Sequence, residues 1–281
     1  MAGTLLHITL AHRALEQAKI KEHVRSAISS NPDSFRLGAV LVDLPYYDKL
    51  LVSALRSLAG LDIHYNSWGT LLHMRAPAEL GLALFDAASS EGGVHLGLGY
   101  LTHLAVDILF HREIQKRVHL EANGARSLDA EHKRIEDDMD LHIHYDLLQS
   151  PGIGTPYARK MLRLAPHSAW STQASLAISR IHGNTISPST FNHWLRALGR
   201  FGHWSSNNRV PWVKSLPEDN PELLETSLAL AEHAIARSSQ FLEVGLAYAR
   251  NEVTPADFLA RIDGQSMLDG GPASAPRIPP H

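Results

Sequence analysis

Apolar residues recur at helical spacing along most of the chain. Between residues 5 and 28 the apolar positions keep the three-to-four-residue spacing of one helix face, and Asn31-Pro32 ends this run. No sustained alternation of apolar and polar residues predicts a strand. Similar helical patterns cover residues 48–59, 77–88, 94–121, 127–149, 155–164, 168–181, 188–200, 221–250 and 255–262. We therefore predict an all-α fold, a multi-helix bundle.

The same pattern predicts one domain. Residues 1–263 contain no internal repeat and no shift in composition that would divide two helical units. Residues 264–281 are rich in Gly, Pro, Ser and Ala, which is typical of a disordered tail. The stretch 201–220, with two tryptophans, predicts a long loop between helices.

Composition and charge exclude some classes of function. Apolar residues make up 44% and charged residues 20% of the chain, and the net charge is -3. A nucleic-acid-binding surface needs a basic stripe, and none is present, so a nucleic-acid partner is not favoured. We expect no transmembrane segment, because no apolar run reaches spanning length. The first residues lack the features of a signal peptide, and we expect a cytoplasmic location.

Histidine is abundant and cysteine is absent. The chain has 18 histidines and no cysteine. Disulfides are therefore impossible, and a metal site would have to use His, Asp, Glu or backbone ligands. The spacing of the histidines decides whether such a site is plausible.

The apolar stretch 102–112 carries three ionisable groups in register. His103, Asp107 and His111 are spaced i, i+4, i+8, so on a helix they follow one broad face over roughly 12 Å. That spread suits two or more ions with Asp107 between them. Because the residues between are almost all apolar, the helix is predicted to be buried, and its ionisable groups need partners.

The next helix offers those partners. His132, Glu136 and Asp140 repeat the same spacing, and two helices joined by a modest loop tend to pack antiparallel. Their polar seams would then meet across a metal cluster. The alternative is a solvated charged face, because other charged residues surround this set.

Two more segments could contribute a ligand. His7 and His12 are five residues apart, a turn of about 140°, so at most one of them points into the cage. Asp43 ends an apolar run and is either a helix-boundary cap or a ligand. His142 and His144 extend the second seam, and we expect surface positions for them, with at most one facing inward.

These residues resemble the zinc-dependent phospholipase C and S1/P1 nuclease superfamily. The resemblance covers residues 5–140. Its strongest part is HxxxDxxxH at His103 to His111, followed by HxxxExxxD at His132 to Asp140. An N-terminal histidine and a segment from Gly38 to Asp43 precede them in the order that the family has.

The resemblance implies an all-helical bundle with a cluster of zinc ions. His103 and Asp43 would hold the first ion, together with His73 or, as the alternative, His64. Asp107 would bridge the first ion and a third, and His7 would bind the third. The second ion would be held by His111, His132 and Glu136. The tryptophan that binds the third ion in secreted members has no counterpart here, so we expect two or three ions, with other divalent metals possible.

The resemblance also implies a reaction. We expect a metal-dependent hydrolase of phosphate esters, phospholipase C-like, in which the zinc cluster activates water and Asp43 orients or deprotonates it. The substrate would be a small-molecule or lipid phosphoester. One alternative is a hydrolase or lyase that acts on a non-lipid small molecule with the same metal cage. The other is a non-catalytic protein with a structural metal.

Overall fold

The computed structural model describes residues 3–48, 67–121, 128–144, 160–164, 167–205, 221–262 and 267. Within these ranges the chain is helical and contains no β-strand, which confirms the predicted all-α class. The helices are α1 Gly3–Gln17, α2 Glu22–Ser30, α3 Asp33–Gly38, α4 Ser67–Met74, α5 Pro77–Asp86, α6 Glu91–Glu121, α7 Leu128–His142, α8 Ser168–His182, α9 Pro188–Ser205, α10 Pro221–Ala249 and α11 Pro255–Arg261, with a short 3-10 helix at Leu44–Tyr47.

Helix α6 forms the centre of the bundle. Helices α1, α3, α5, α7, α8 and α10 all pack against it. Its stretch Glu91–Val118 is long and apolar enough to pass as a membrane span, but 89% of the most apolar window is buried inside the protein. Burial in the core therefore accounts for its apolar character, and the helix is weak evidence for a membrane span.

Two glycines bring α3 and α6 into backbone contact. A β-carbon on Gly38 would lie 2.7 Å from Tyr100 N and would overlap the Leu96 carbonyl oxygen. A β-carbon on Gly99 would lie 2.9 Å from Ala39 N and would overlap the Phe35 carbonyl oxygen. Only glycine permits this approach, which places the turn after α3 directly beside the middle of α6.

The chain around His73 is anchored on both sides. Ala76 has a positive φ of 47°, which turns the chain sharply between α4 and α5, and Pro77 begins α5. The carbonyl of His73 accepts a hydrogen bond from Met267 N at 2.9 Å. The Tyr100 hydroxyl of α6 donates to Pro77 O at 2.8 Å. These contacts fix the last turn of α4 against the central helix.

The continuous helix predicted over residues 5–28 is wrong in one respect. The chain breaks into α1 and α2 between Ala18 and Lys21. Arg25 folds back and donates from Nε to Leu15 O and from Nη2 to Ala18 O, at 3.2 and 3.0 Å. These bonds add acceptor contacts to carbonyls at the end of α1, so the turn is stabilised by a contact that periodicity does not reveal.

The loop predicted over 201–220 is shorter than expected at its start, because α9 continues through Ser205. Residues 206–220 fall outside the described residues, as do positions 49–59 of the helix predicted over 48–59, positions 155–159 of the helix predicted over 155–164, and most of the predicted tail 264–281. Met267 is described and is buried. The other predicted helices agree with α5 to α11 within a few residues, as far as each is described. The single domain over 1–263 stays a prediction.

Candidate metal centre

Two imidazoles converge on two carboxylates at the centre of the bundle. His73 Nε2 lies 3.3 Å from Asp43 Oδ1 and 3.4 Å from Asp107 Oδ2. His103 Nε2 lies 4.0 Å and 3.0 Å from the same two oxygens. Donors on one tetrahedral zinc, each about 2.1 Å from the ion, are about 3.4 Å apart. Asp43, His73 and His103 offer ligand atoms that all lie within 4.8 Å of one another, close enough to share an ion, and Asp107 forms a second such group with His7 and His103.

Backbone hydrogen bonds set the orientation of both rings. His103 Nδ1 lies 2.8 Å from Ala39 O, and His73 Nδ1 lies 2.7 Å from Gly69 O. A carbonyl can only accept, so each ring donates its Nδ1–H, and a neutral ring keeps its lone pair at Nε2. Both lone pairs then face carboxylate oxygens. Only a cation between them, either a proton or a metal ion, makes that arrangement favourable.

His7 extends the cluster to the other oxygen of Asp107. His7 Nε2 lies 3.0 Å from Asp107 Oδ1, and its ring stacks on His103 with centroids 4.0 Å apart. His12 points elsewhere and accepts a hydrogen bond from Arg36 Nε at 3.2 Å. The prediction that only one of these two histidines faces the cage, and the preference for His7, agree with this geometry.

A second group of ligand candidates lies on the far side of Asp107. His111 Nε2 is 3.7 Å from Asp107 Oδ1, and the His111 ring stacks on His132 at 5.1 Å. The polar seams of α6 and α7 therefore meet, as predicted. A small hollow opens beside them, and its lining includes Gly3, Leu6, His7, Val106, Asp107, Phe110, His111, Ile114, Glu136 and Asp140.

The carboxylates of the site are held in the ionised state. Burial raises the pKa of Asp107, but His103, His7 and His111 outweigh it and hold that pKa well below its usual range. His103 shows the reciprocal effect: burial lowers its pKa, and Asp107 and Asp43 raise it to about 9. Burial and the nearby His103 lower the pKa of His7. The site thus strongly favours positive charge between its carboxylates.

The donors present fit a zinc-type ion. Imidazole nitrogens and carboxylate oxygens, with no thiolate, are ligands of zinc and of several other divalent metals. His103 Nε2 and Asp107 Oδ2 are buried and have no hydrogen-bond partner among the described residues. Imidazoles are the ion partners recorded for Asp43 and Asp107 in that part of the chain. A buried acid such as Asp107, with imidazoles as its ion partners among the described residues, is best explained by a cation that neutralises it.

The structure describes some of the residues whose role the sequence left open. Asp43 lies at the start of the 3-10 helix, but its side chain makes no capping hydrogen bond and faces the imidazoles instead. His73 lies next to Asp43 and His103 as proposed, whereas His64 lies outside the described residues. The role of these residues as ligands stays a prediction.

Other expectations need correction. His142 and His144 were expected at the surface, with at most one facing inward, but both are buried. They lie at the end of α7, where that helix runs into the core, and their position depends on packing that charge patterning does not encode. Sequence reasoning also missed Thr4, which contacts Asp43, and Tyr47, which contacts Thr4. It missed Gln115 too, whose amide nitrogen lies 3.4 Å from His132 Nδ1. Thr4, three residues before His7, shares its helix face, which is the one signal that was available.

Comparison with known proteins agrees with this geometry. Residues 6–167, more than half of the chain, match the sequence model of a family described as zinc dependent phospholipase C. The chain belongs to the zinc-dependent phospholipase C family. No curated protein and no solved structure matches it. Every ligand candidate named above lies inside the matched region, and family membership supports a metal-dependent, phospholipase C-like role.

Proposed function

We propose that the protein hydrolyses phosphate esters in the manner of a phospholipase C, on a cluster of two or three zinc ions. The observation that carries the proposal is the paired imidazoles at the core. His73 and His103 each give Nδ1–H to a backbone carbonyl and aim Nε2 at the half-buried carboxylate of Asp43 and the buried carboxylate of Asp107. Histidines that bind a metal through one ring nitrogen usually donate a hydrogen bond from the other, often to a backbone carbonyl, and both rings here do so.

The proposed ligands divide into three sets, and Asp107 bridges the first and the third. The first ion is held by Asp43, His73 and His103, whose ligand atoms lie within 4.8 Å of one another. His7 with Asp107 binds the third ion, and His111, His132 and Glu136 bind the second. Asp107 can serve more than one ion because its two oxygens face different imidazoles, His103 on one side and His7 on the other.

Bound zinc supplies the chemistry that such a site needs: it lowers the pKa of a coordinated water toward neutrality and stabilises charge on the phosphoryl oxygens. The protein supplies position. Asp43 orients the attacking water and accepts its proton. Burial raises the pKa of its carboxyl, but His103 and His73 outweigh it and lower that pKa, so the group is ionised and able to accept. No side-chain nucleophile is needed.

The substrate is proposed as a small-molecule or lipid phosphoester. A phospholipase C reaction breaks the bond between phosphorus and the glycerol oxygen, so that the alcohol leaves with a proton and the phosphorylated head group is released. The net charge of -3 does not favour a nucleic acid as substrate. The preferred head group has to be found by comparing phosphoesters with different head groups in the activity assay.

The decisive experiment measures metal and activity together. We expect protein purified without chelators or a His-tag to contain two or three equivalents of zinc and to hydrolyse phosphocholine esters faster than nucleotides. Asp107→Asn keeps the size of the side chain and removes its charge, so it should lose zinc and at least about a hundredfold of activity. His12→Gln, on the same N-terminal helix as His7, is the matched control and should keep both.

Three results would contradict the proposal in different ways. Asp107→Asn with full zinc content and full phosphodiesterase activity would refute it outright. A single zinc ion per chain, with all its coordination positions filled by protein ligands and with no hydrolysis, would favour a structural site. Zinc-dependent turnover of a non-phosphate substrate would keep the metal cage and replace the reaction.

A further inference from the structure

The two oxygens of Asp43 have different surroundings. Oδ1 lies 3.3 Å from His73 Nε2, on the side of the metal centre. Oδ2 lies 3.4 Å from the hydroxyl of Thr4, and that hydroxyl lies 2.7 Å from Tyr47 OH. Thr4 and Tyr47 are both buried, at 3% and 1% exposure. A chain of hydroxyls thus leads from the core to the outer oxygen of one candidate ligand.

The direction of these hydrogen bonds follows from the Asp43 carboxylate at one end. An ionised carboxylate can only accept, so Thr4 donates its single hydroxyl proton to Asp43 Oδ2. Thr4 Oγ1 is then free to accept, and Tyr47 donates to it. The hydrogen bonds therefore run from Tyr47 to Thr4 and from Thr4 to Asp43.

Thr4 belongs to a helix turn that touches the whole cluster. His7, three residues later on α1, contacts Asp107. Gly3, one residue earlier, leaves the space in which a β-carbon would lie 3.3 Å from Glu136 Oε1. The first turn of α1 therefore meets three acidic residues that come from three other segments of the chain.

We propose that Thr4, supported by Tyr47, is a positioning residue that holds Asp43 Oδ2 and leaves Oδ1 alone to face the cation. This inference rests on the proposed metal centre and adds to it a residue outside the ligand set. Without the hydroxyl, the Asp43 carboxylate can rotate about its terminal bond, which costs the site the preorganisation on which metal affinity depends. Loss of such a partner lowers metal affinity about 10- to 100-fold.

The chain offers a matched control for the test. Thr9 lies on the same helix and is also buried, but its hydroxyl donates only to Leu5 O of its own helix, at 2.8 Å. Thr4→Val and Thr9→Val therefore make the same change of shape and polarity in one helix. Thr4→Ser keeps the hydroxyl, and Tyr47→Phe removes only the donor behind it.

The measurement is zinc affinity, by competition with a chromogenic chelator, on full-length wild-type and variant proteins. We expect Thr4→Val to weaken zinc binding about 10- to 100-fold, Tyr47→Phe to weaken it less, and Thr4→Ser and Thr9→Val to stay within about threefold of wild type. In a phosphoester assay at saturating zinc, Thr4→Val should lower kcat more than it raises KM, because Asp43 acts on the reacting water.

Four outcomes would decide against us. Wild-type zinc affinity in Thr4→Val would overturn the positioning role while leaving the metal centre intact. Equal weakening in both would assign the effect to helix packing, as would failure of Thr4→Ser to restore affinity. If Thr4→Val does not fold, Tyr47→Phe decides, and wild-type affinity in that variant overturns the positioning role. Wild-type protein that binds no zinc would overturn the proposed function itself.

Discussion

Gly99→Ala tests whether the backbone contact between α3 and α6 holds the metal centre together. The added β-carbon would lie 2.9 Å from Ala39 N and would overlap the Phe35 carbonyl oxygen. These atoms are backbone, so no flexible side chain can move aside. Ordinary contact needs about 3.4 Å, so α3 must move away from α6 by about half an ångström against Ala39 and by more against Phe35.

The cost has two parts. Overpacking a close contact costs about 1 to 3 kcal/mol, and displacement of Ala39 weakens its hydrogen bond to His103 Nδ1, which is worth about 1 kcal/mol. We therefore expect Gly99→Ala to lower the free energy of unfolding by about 2 to 4 kcal/mol. Because that hydrogen bond also fixes the metal-facing nitrogen of His103, zinc affinity should fall about 10- to 100-fold.

Urea denaturation followed by circular dichroism measures the first effect, and chelator competition measures the second. Gly199→Ala is the matched control, because a β-carbon at that position in α9 meets nothing within 4 Å. It should leave zinc binding unchanged and raise stability by up to about 1 kcal/mol through its helix propensity. If Gly99→Ala is as stable as wild type and binds zinc as tightly, the helix contact does not position the site.

Three further predictions follow from the charges of the site and the core. Removing zinc with a chelator should destabilise the fold by about 3 kcal/mol relative to protein in zinc at 100 times its Kd, and re-added zinc should restore the melting temperature; an unchanged melting temperature would contradict a resident metal. His7→Gln should weaken zinc binding by more than about tenfold while His12→Gln should not, because His7 contacts Asp107 and His12 contacts Arg36. Burial lowers the pKa of His144 to about 4. As the pH falls below about 6.5, this imidazole is therefore protonated in the unfolded chain but stays neutral in the folded one, and the folded state loses stability. That difference costs about 2 kcal/mol at pH 5, and His144→Leu should lose less stability between pH 7 and pH 5 than wild type does; equal losses would refute it.

Helical periodicity predicted the fold class and most of the helices, because the apolar residues on the buried face of an amphipathic helix recur at a fixed spacing. The break between α1 and α2 escaped it. There the deciding contacts are the hydrogen bonds from Arg25 to Leu15 O and Ala18 O, which join a polar side chain to backbone atoms. Hydrophobic spacing has no information about such bonds.

The candidate ligands were predictable where two helices carry them in register. His103, Asp107 and His111 share one face by spacing alone, and an apolar setting shows that this face is buried. Asp43 and His73 lie on short segments with no periodic neighbour, and they were found through family resemblance. Thr4 and Tyr47 were missed, because a hydroxyl has no fixed spacing from the carboxylate that it serves, and 43 residues separate the two hydroxyls that meet.

The central helix shows why metal and fold are expected to depend on each other. Helix α6 is apolar enough to lie almost wholly inside the protein, yet it carries Asp107 at 2% exposure and His103 at 0%. An uncompensated charge at that depth would cost several kcal/mol, a large part of the stability of an ordinary domain. Without metal, the compensation falls to protons on imidazoles, and the pKa of His103 near 9 reflects that demand. A divalent ion supplies more positive charge in the same place, so the residues proposed to bind zinc should also make the folded state depend on it.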